Sequence, residues 1–400
     1  MQDIDLLEFG IYHWLHKTSV NLPGIKSGIL QSSFFEDIKI ENNLVNIEES
    51  IFQFLEENII KWEGFKIPSL ILCSGGVDSS LLVAAADQNK SKYKLLHTSY
   101  VNHDNNDLDK LYNIIKKYPA DINLFSIDSS KYLTGMKFLW RENFFQNTYA
   151  PTITYSLLNN DNNFASQIIT GSGPDELFYG MEKYSWDFFE SLSSIPVDKA
   201  LEKIDVAYNI KPYKFLLNSY GLKLLKEIQN NRRKMYKKIS SIYSNIFDAQ
   251  RLLAYLTVSG QHMHLFNNVA NFFNLEHKAP YLNEKFVKIA FSTPITLLIN
   301  PHIKKDKVEI GKYHIKKFLT KFLDTKHVYS KKIGFHAPTT KFIYEKNILK
   351  LFDNLQYSRI SHFLDMDKTK SLLLNRINDP TNREDYFLYS MLCLGDKDSI

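Results

Sequence analysis

In the first half of the chain, short apolar runs bounded by glycine or polar turns alternate with stretches of helical spacing. Ile51, Phe54, Leu55 and Ile59 recur at helical intervals and predict a helix over Ile47–Trp62. Ser69–Leu72 reads as a short buried strand that stops at a glycine pair, and the run SSLLVAAAD behind it reads as a helix. Residues 93–101 are strand-like, Asp107–Tyr118 is helical in period, and Ile122–Ile127 is again strand-like. Tyr149–Asn159 predicts a helix and Gln167–Thr170 a strand, also ending in glycines. Strands alternating with helices predict an α/β fold with a parallel sheet covered by helices. Residues 1–46 show only turn signals, at Pro23-Gly24 and Ser27-Gly28. Beyond residue 185 the strand signals fade, and helical patterns such as Ala249–Phe273 and Tyr313–Leu323 take over. The expected organisation is a short N-terminal segment (1–46), an α/β nucleotide-binding part (47–190) and a mostly helical part that completes the site (191–400). No internal repeat is visible.

The 400 residues are 44% hydrophobic and 23% charged, which excludes a largely disordered chain. A formal charge of +5 does not by itself point to nucleic acid. Two cysteines, Cys73 and Cys393, give neither a disulfide framework nor a CxxC pair, so a reducing, cytoplasmic setting is expected. The N-terminus carries Asp3 and Asp5 and has no signal-like apolar stretch. No apolar run approaches the length of about 20 residues that a membrane span needs.

The strongest chemical signal is SLILCSGGVDSSLLVAAA, Ser69–Ala86. A strand runs into Ser74-Gly75-Gly76, and a helix begins near Asp78. Glycines let the backbone approach an anion, and the free N–H groups and dipole of a helix start favour negative charge. Ser74, Ser79 and Ser80 add hydroxyl donors. Asp78 would repel phosphate unless a cation lay between them, which implies Mg²⁺. No GxxxxGK[ST] loop is present. The segment resembles the pyrophosphate loop of the PP-loop ATP pyrophosphatases, which split ATP between its α- and β-phosphates. That resemblance assigns Ser74, Gly75, Gly76, Val77, Asp78, Ser79 and Ser80 to ATP.

A second segment, QIITGSGPDELFYG (Gln167–Gly180), repeats the strand–glycine–acid pattern. In a parallel sheet both turns lie at the carboxyl ends of the strands, where ligands bind. Asp78 and Asp175 can then share one Mg²⁺ against the phosphates. Glu176 is an acid available for proton transfer or orientation. The segment resembles the SGEGxDExFxGY stretch of the asparagine synthetase family. Gly171, Ser172 and Gly173 join the nucleotide site by that resemblance. Ser172 stands where most members carry Glu and β-lactam synthetases carry Tyr, which leaves the base unassigned.

Two later segments resemble the same family. EHKAPYLNEKFVKIAFSTP (276–294) is similar to ExRxPFLDxxxxxxAxSLP, with Lys278, Tyr281 and Asn283 in place of Arg, Phe and Asp. The Asp that begins this stretch upstream is lost, with Asn267 and Asn268 nearby. YSKKIGFHAP (329–338) is similar to RxKxGFxxP, which makes Lys332, with Lys331 as the alternative in register, the lysine facing the α-phosphate and the departing pyrophosphate. The family's glutaminase domain begins with a cysteine after the initiator methionine. Position 2 here is Gln, so glutamine hydrolysis within this chain is not expected.

The resemblance implies an ATP- and Mg²⁺-dependent ligase that adenylates a small-molecule or peptide carboxylate and passes the acyl group to an amine or ammonia. The nitrogen would come from free ammonia, a separate glutaminase, or an amine on a substrate, carrier protein or precursor peptide, as in β-lactam synthetases and lasso-peptide cyclases. Lys332, Glu176 and Asp175 are the catalytic candidates. A nucleotide-binding pseudoenzyme is the alternative; the departures at Ser172, Lys278 and Asn283 favour it, and Asp78, Asp175, Glu176 and Lys332 oppose it. Modification of tRNA or nucleobases by another PP-loop branch predicts catalytic cysteines that are absent. His262, His264 and His277 read as core or loop histidines rather than zinc ligands. His97, His103 and Asp104 fall near the adenosine side. The basic runs 222–240 and 302–317 read as solvated helix faces, with an acidic docking partner or the gathering of ATP as the other readings.

Overall fold

The computed structural model describes residues 3–12, 22–26, 29–101, 107–142, 150–180, 183–207, 214–299, 311–330, 342, 356 and 359–376. A two-stranded antiparallel ribbon, β1 (Ile25–Lys26) and β2 (Ile29–Leu30), lies near the N-terminus. The main sheet contains β3 (Ser69–Leu72), β4 (Tyr93–Tyr100), β5 (Asp121–Ile127), β6 (Gln167–Ile169) and β7 (Glu276–Lys278). Its order is β5-β4-β3-β6-β7, and every pairing is parallel. The α/β class and the parallel sheet expected from the alternation are therefore present.

The central strands are apolar because both faces are covered. Leu70, Leu96 and Ile168 point into a cluster with Phe138, Leu139 and Phe266. Their neighbours Ile71, Leu95 and Ile169 point into the larger core on the opposite face. The helix Val77–Gln88 buries every residue from Ser79 to Ala86, so its sequence is apolar all round rather than striped.

Three regions differ from the sequence expectation. Strand β7 comes from the region read as helical and extends the sheet beside β6. Its residues, Glu-His-Lys, carry no apolar alternation because an edge strand of three residues needs none. Residues 1–46, read as turns, contain helices Asp3–Tyr12 and Ser32–Glu36 in addition to the β1–β2 ribbon. A ten-residue helix is too short to be stable alone, and Asp3–Tyr12 packs on the long helix Ser219–Ile242. There Glu8 meets Arg232 at 3.5 Å, with both side chains 2% exposed. Arg232 also bonds Asp205 at 3.2 Å. Part of the basic run 222–240 is thus an internal ion-pair network rather than a solvated face. Among the described residues, no helix is long and apolar enough to cross a membrane.

Candidate active site

Strand β3 leads on to β4 on one side and pairs with β6 on the other, so the order reverses between β3 and β6. Ligands of open α/β sheets bind outside the carboxyl ends of the strands at such a point. Both glycine turns stand there. The first is held by its own serines. Ser74 Oγ accepts from the Gly76 N–H at 3.2 Å. The hydroxyls of Ser79 and Ser80 donate to the Gly76 carbonyl at 3.2 and 2.7 Å. The second turn lies directly against the first: a Cβ on Gly171 would come within 3.0 Å of the Asp78 Cβ.

One cavity opens at this rim. Of the residues picked out from the sequence, Ser74, Asp78, Ser79, Gly171, Ser172, Gly173, Asp175 and Glu176 line it. Gly75, Gly76, Val77 and Ser80 shape the turn behind it without lining it. Leu72, Leu96, Ile153 and Phe266 form an apolar wall. Lys332 lies outside the described residues, as do Lys331, His103, Asp104 and Cys393.

A residue not singled out from the sequence occupies the centre of the charge arrangement. Lys312 Nζ lies 2.5 Å from Asp78 Oδ2 and 2.6 Å from Asp175 Oδ1, with a side chain only 3% exposed. Burial alone would lower the Lys312 pKa, but Asp175 and Asp78 outweigh that and hold it well above the usual lysine value. The backbone that carries it is tightly docked. The Lys312 N–H donates to the Phe178 carbonyl at 2.8 Å. Gly311 packs so closely that a Cβ would meet the Tyr179 carbonyl oxygen at 1.6 Å. The sequence offered one signal for this, the Gly311-Lys312 pair just before helix Tyr313–Leu319, inside a run read only as basic.

The segment 276–294 holds the two turns together. The Tyr281 hydroxyl, fully buried, donates to the Asp78 carbonyl at 2.9 Å. Lys278 pairs with Glu276. Asn283 caps helix Glu284–Ser292 by accepting from the Lys285 N–H at 2.9 Å. The departures at Tyr281 and Asn283 thus have structural roles.

Burial disfavours the charged form of the histidines at this rim. The His97 Nδ1–H donates to the Cys73 carbonyl at 2.7 Å, and burial lowers its pKa. Burial pushes His262, on the cavity wall, down to about 4 against the pull of Asp175. The Asn268 amide donates to His264 at 3.1 Å. Burial also pushes the Cys73 thiol up to about 11, which suits a packing residue and not a nucleophile. Among the described residues, no cluster of three or more His, Cys, Asp or Glu side chains is arranged to hold a metal. A pair of carboxylates is nonetheless a sufficient protein contribution for Mg²⁺, which keeps waters and takes phosphate oxygens for its remaining positions.

A search of curated proteins returned no match. Among solved structures, NMN synthetase from Francisella tularensis is similar at 14% identity, with a TM-score of 0.23. That likeness covers 34% of this chain and 58% of the other, so the chain spans little more than half the length of that protein. The model of the asparagine synthase family matches residues 66–390, which include both glycine turns, β7 and Lys312, and the chain belongs to that family.

Proposed function

We propose that the protein is an AMP- and pyrophosphate-forming carbon–nitrogen ligase. A carboxylate oxygen of the substrate attacks the α-phosphorus of ATP and pyrophosphate leaves. An amine or ammonia then attacks the acyl carbon, AMP leaves, and the nitrogen gives up one proton. The observation that carries this reading is the meeting of Asp78 and Asp175, one from each glycine turn, on a single buried ammonium beside the cavity.

The backbone N–H groups at the start of helix Val77–Gln88 and the Ser74 hydroxyl cradle the pyrophosphate, while Ser79 and Ser80 hold the turn in shape through the Gly76 carbonyl. Gly171, Ser172 and Gly173 border the same nucleotide. Asp78 and Asp175 would hold Mg²⁺ through carboxylate oxygens not turned to Lys312. When bound, Mg²⁺ supplies charge neutralisation for the phosphates. Lys312 adds a fixed positive charge at the same place, whose stabilisation is greatest as negative charge develops on the departing pyrophosphate. Lys332 is assigned a like role at the α-phosphate. In support, His327 Nε2 lies 3.4 Å from Ser80 Oγ, so the chain enters the Lys332 segment next to the pyrophosphate turn. Glu176 takes the proton from the attacking nitrogen. The apolar wall keeps water from the acyl-adenylate.

The test is release of AMP and pyrophosphate from ATP, screened over carboxylic acids with ammonia, hydroxylamine and simple amines. Formation of both products, dependent on one acid, is expected. Tight ATP binding with neither product under any pairing would favour the nucleotide-binding pseudoenzyme.

A further inference from the structure

Behind Ser172 runs a chain of hydrogen bonds whose direction is set at its far end. His277 Nδ1 lies 2.8 Å from Asn267 Oδ1. An amide oxygen only accepts, so the His277 proton sits on Nδ1 and Nε2 is left as an acceptor. Thr170 Oγ1 lies 2.8 Å from His277 Nε2 and therefore donates to it. Ser172 Oγ lies 3.1 Å from Thr170 Oγ1. With the threonine hydrogen already committed, Ser172 must donate and Thr170 accept. Every hydrogen along the chain points away from the cavity, and the lone pairs of Ser172 Oγ are left on its cavity side.

The surroundings keep this polarity from reversing. Thr170 is 3% exposed, and its backbone N–H is tied to the Lys278 carbonyl across the β6–β7 pairing. His277 packs against the Phe266 ring, with centroids 5.1 Å apart. Burial and the neighbouring Lys278 push its pKa down to about 3, so the imidazole does not take the second proton that would turn Nε2 into a donor.

We propose that Ser172 Oγ is an oriented, uncharged acceptor that takes one N–H hydrogen of the attacking amine or ammonia and positions its lone pair toward the acyl carbon, while Glu176 receives the proton. Ser172 is thus a positioning residue for the nucleophile, and Thr170, His277 and Asn267 act through it. This rests on the amide-forming reading above.

Two measurements test it. Nitrogen-15 NMR of the histidine-labelled protein reads the His277 tautomer without any substrate. The Nδ1–H form is expected between pH 5 and pH 9, with a shift of the Nε2 resonance in Thr170→Val. An Nε2–H form would reverse the chain, leave Ser172 offering a hydrogen, and overturn the proposal. The second measurement uses hydroxylamine as the nucleophile, with the acid found by the product screen. Ser172→Ala should raise the hydroxylamine KM about tenfold, as loss of one hydrogen bond does, well beyond any change in ATP–pyrophosphate exchange, with Ser172→Thr restoring the KM. Exchange and hydroxamate formation falling together in Ser172→Ala would place Ser172 on the nucleotide and refute the assignment. No exchange by the unaltered protein with any acid would defeat the amide-forming reading itself, and the tautomer measurement would then decide the hydrogen-bond chain alone.

Discussion

The Lys312 ammonium lies 2.5 Å from Asp78 Oδ2, although 234 residues of chain separate the two. Asp78 belongs to the pyrophosphate turn and Lys312 to the helical region, so the sheet supplies the carboxylates and the helical region supplies a counter-charge. A buried ammonium of this kind is tolerable only with its partners in place. The ion pair therefore couples the docking of the helical region to the shape of the nucleotide site.

Replacing Lys312 by Met removes that counter-charge and leaves two carboxylates facing each other. The expected loss is roughly 1–3 kcal/mol of stability, kept at the lower end of buried-pair values because the Asp175 side chain is 40% exposed. MgCl2 should raise the Tm of Lys312→Met more than that of the unaltered protein, since a divalent cation then has both carboxylates to itself. Thermal unfolding with and without MgCl2 reads both effects. Equal Tm values and equal Mg²⁺ responses would show that the ion pair contributes nothing.

Gly311→Ala leaves every charged group intact yet puts a Cβ 1.6 Å from the Tyr179 carbonyl oxygen. The 311–312 backbone must then withdraw, at a cost of about 1–3 kcal/mol, and carry Lys312 away from Asp175. Pyrophosphate formation should fall in Gly311→Ala, and likewise in Lys312→Met, because both take the ammonium away from the phosphate site. A fully active alanine variant would mean that the position of this backbone is irrelevant to turnover.

Tyr281→Phe keeps the buried ring and deletes only the hydroxyl that donates to the Asp78 carbonyl. A stability loss of about 1–3 kcal/mol is expected for the carbonyl left without that donor. KM for ATP should rise with it, because the first turn of helix Val77–Gln88 loses its brace. Chemical denaturation and an ATP titration check the two parts, and an unchanged KM would confine Tyr281 to folding.

Much of this site was readable in the residues because local physics wrote it. The run Ser69–Leu72 had to be a covered strand, and the glycines, serines and acids behind β3 and β6 occupy consecutive positions at chain reversals. Lys312 and strand β7 were not readable in the same way. Lys312 owes its role to a contact made across most of the chain and looked like any lysine of a basic run. Strand β7 pairs through backbone groups, and its side chains Glu276, His277 and Lys278 carry no strand signal. The helix Asp3–Tyr12 was missed because its partner, Ser219–Ile242, lies far away in sequence. Lys332 lies outside the described residues, and its place rests on the motif around it.

The pH response of stability follows from the buried histidines. His277 and His262 have folded pKa values of about 3 and about 4, below an unfolded value near 6.5. Between those limits the unfolded chain binds more protons, so stability is full above about pH 6.5 and is lost as the pH falls toward the folded values. The diagnostic window is about pH 5 to 6.5, before most carboxylates titrate. There Tm should drop with falling pH, and the slope should flatten in His277→Gln. An identical slope in that variant would remove His277 from the cause.

The most direct measurement follows an oxygen atom. The acid that supports turnover is labelled with oxygen-18 in its carboxylate, and the AMP formed during amide synthesis is analysed by mass spectrometry. Attack of the carboxylate on the α-phosphorus predicts one labelled oxygen in each AMP, with pyrophosphate unlabelled. Unlabelled AMP, or ADP and labelled phosphate in its place, would contradict the adenylation on which this account stands.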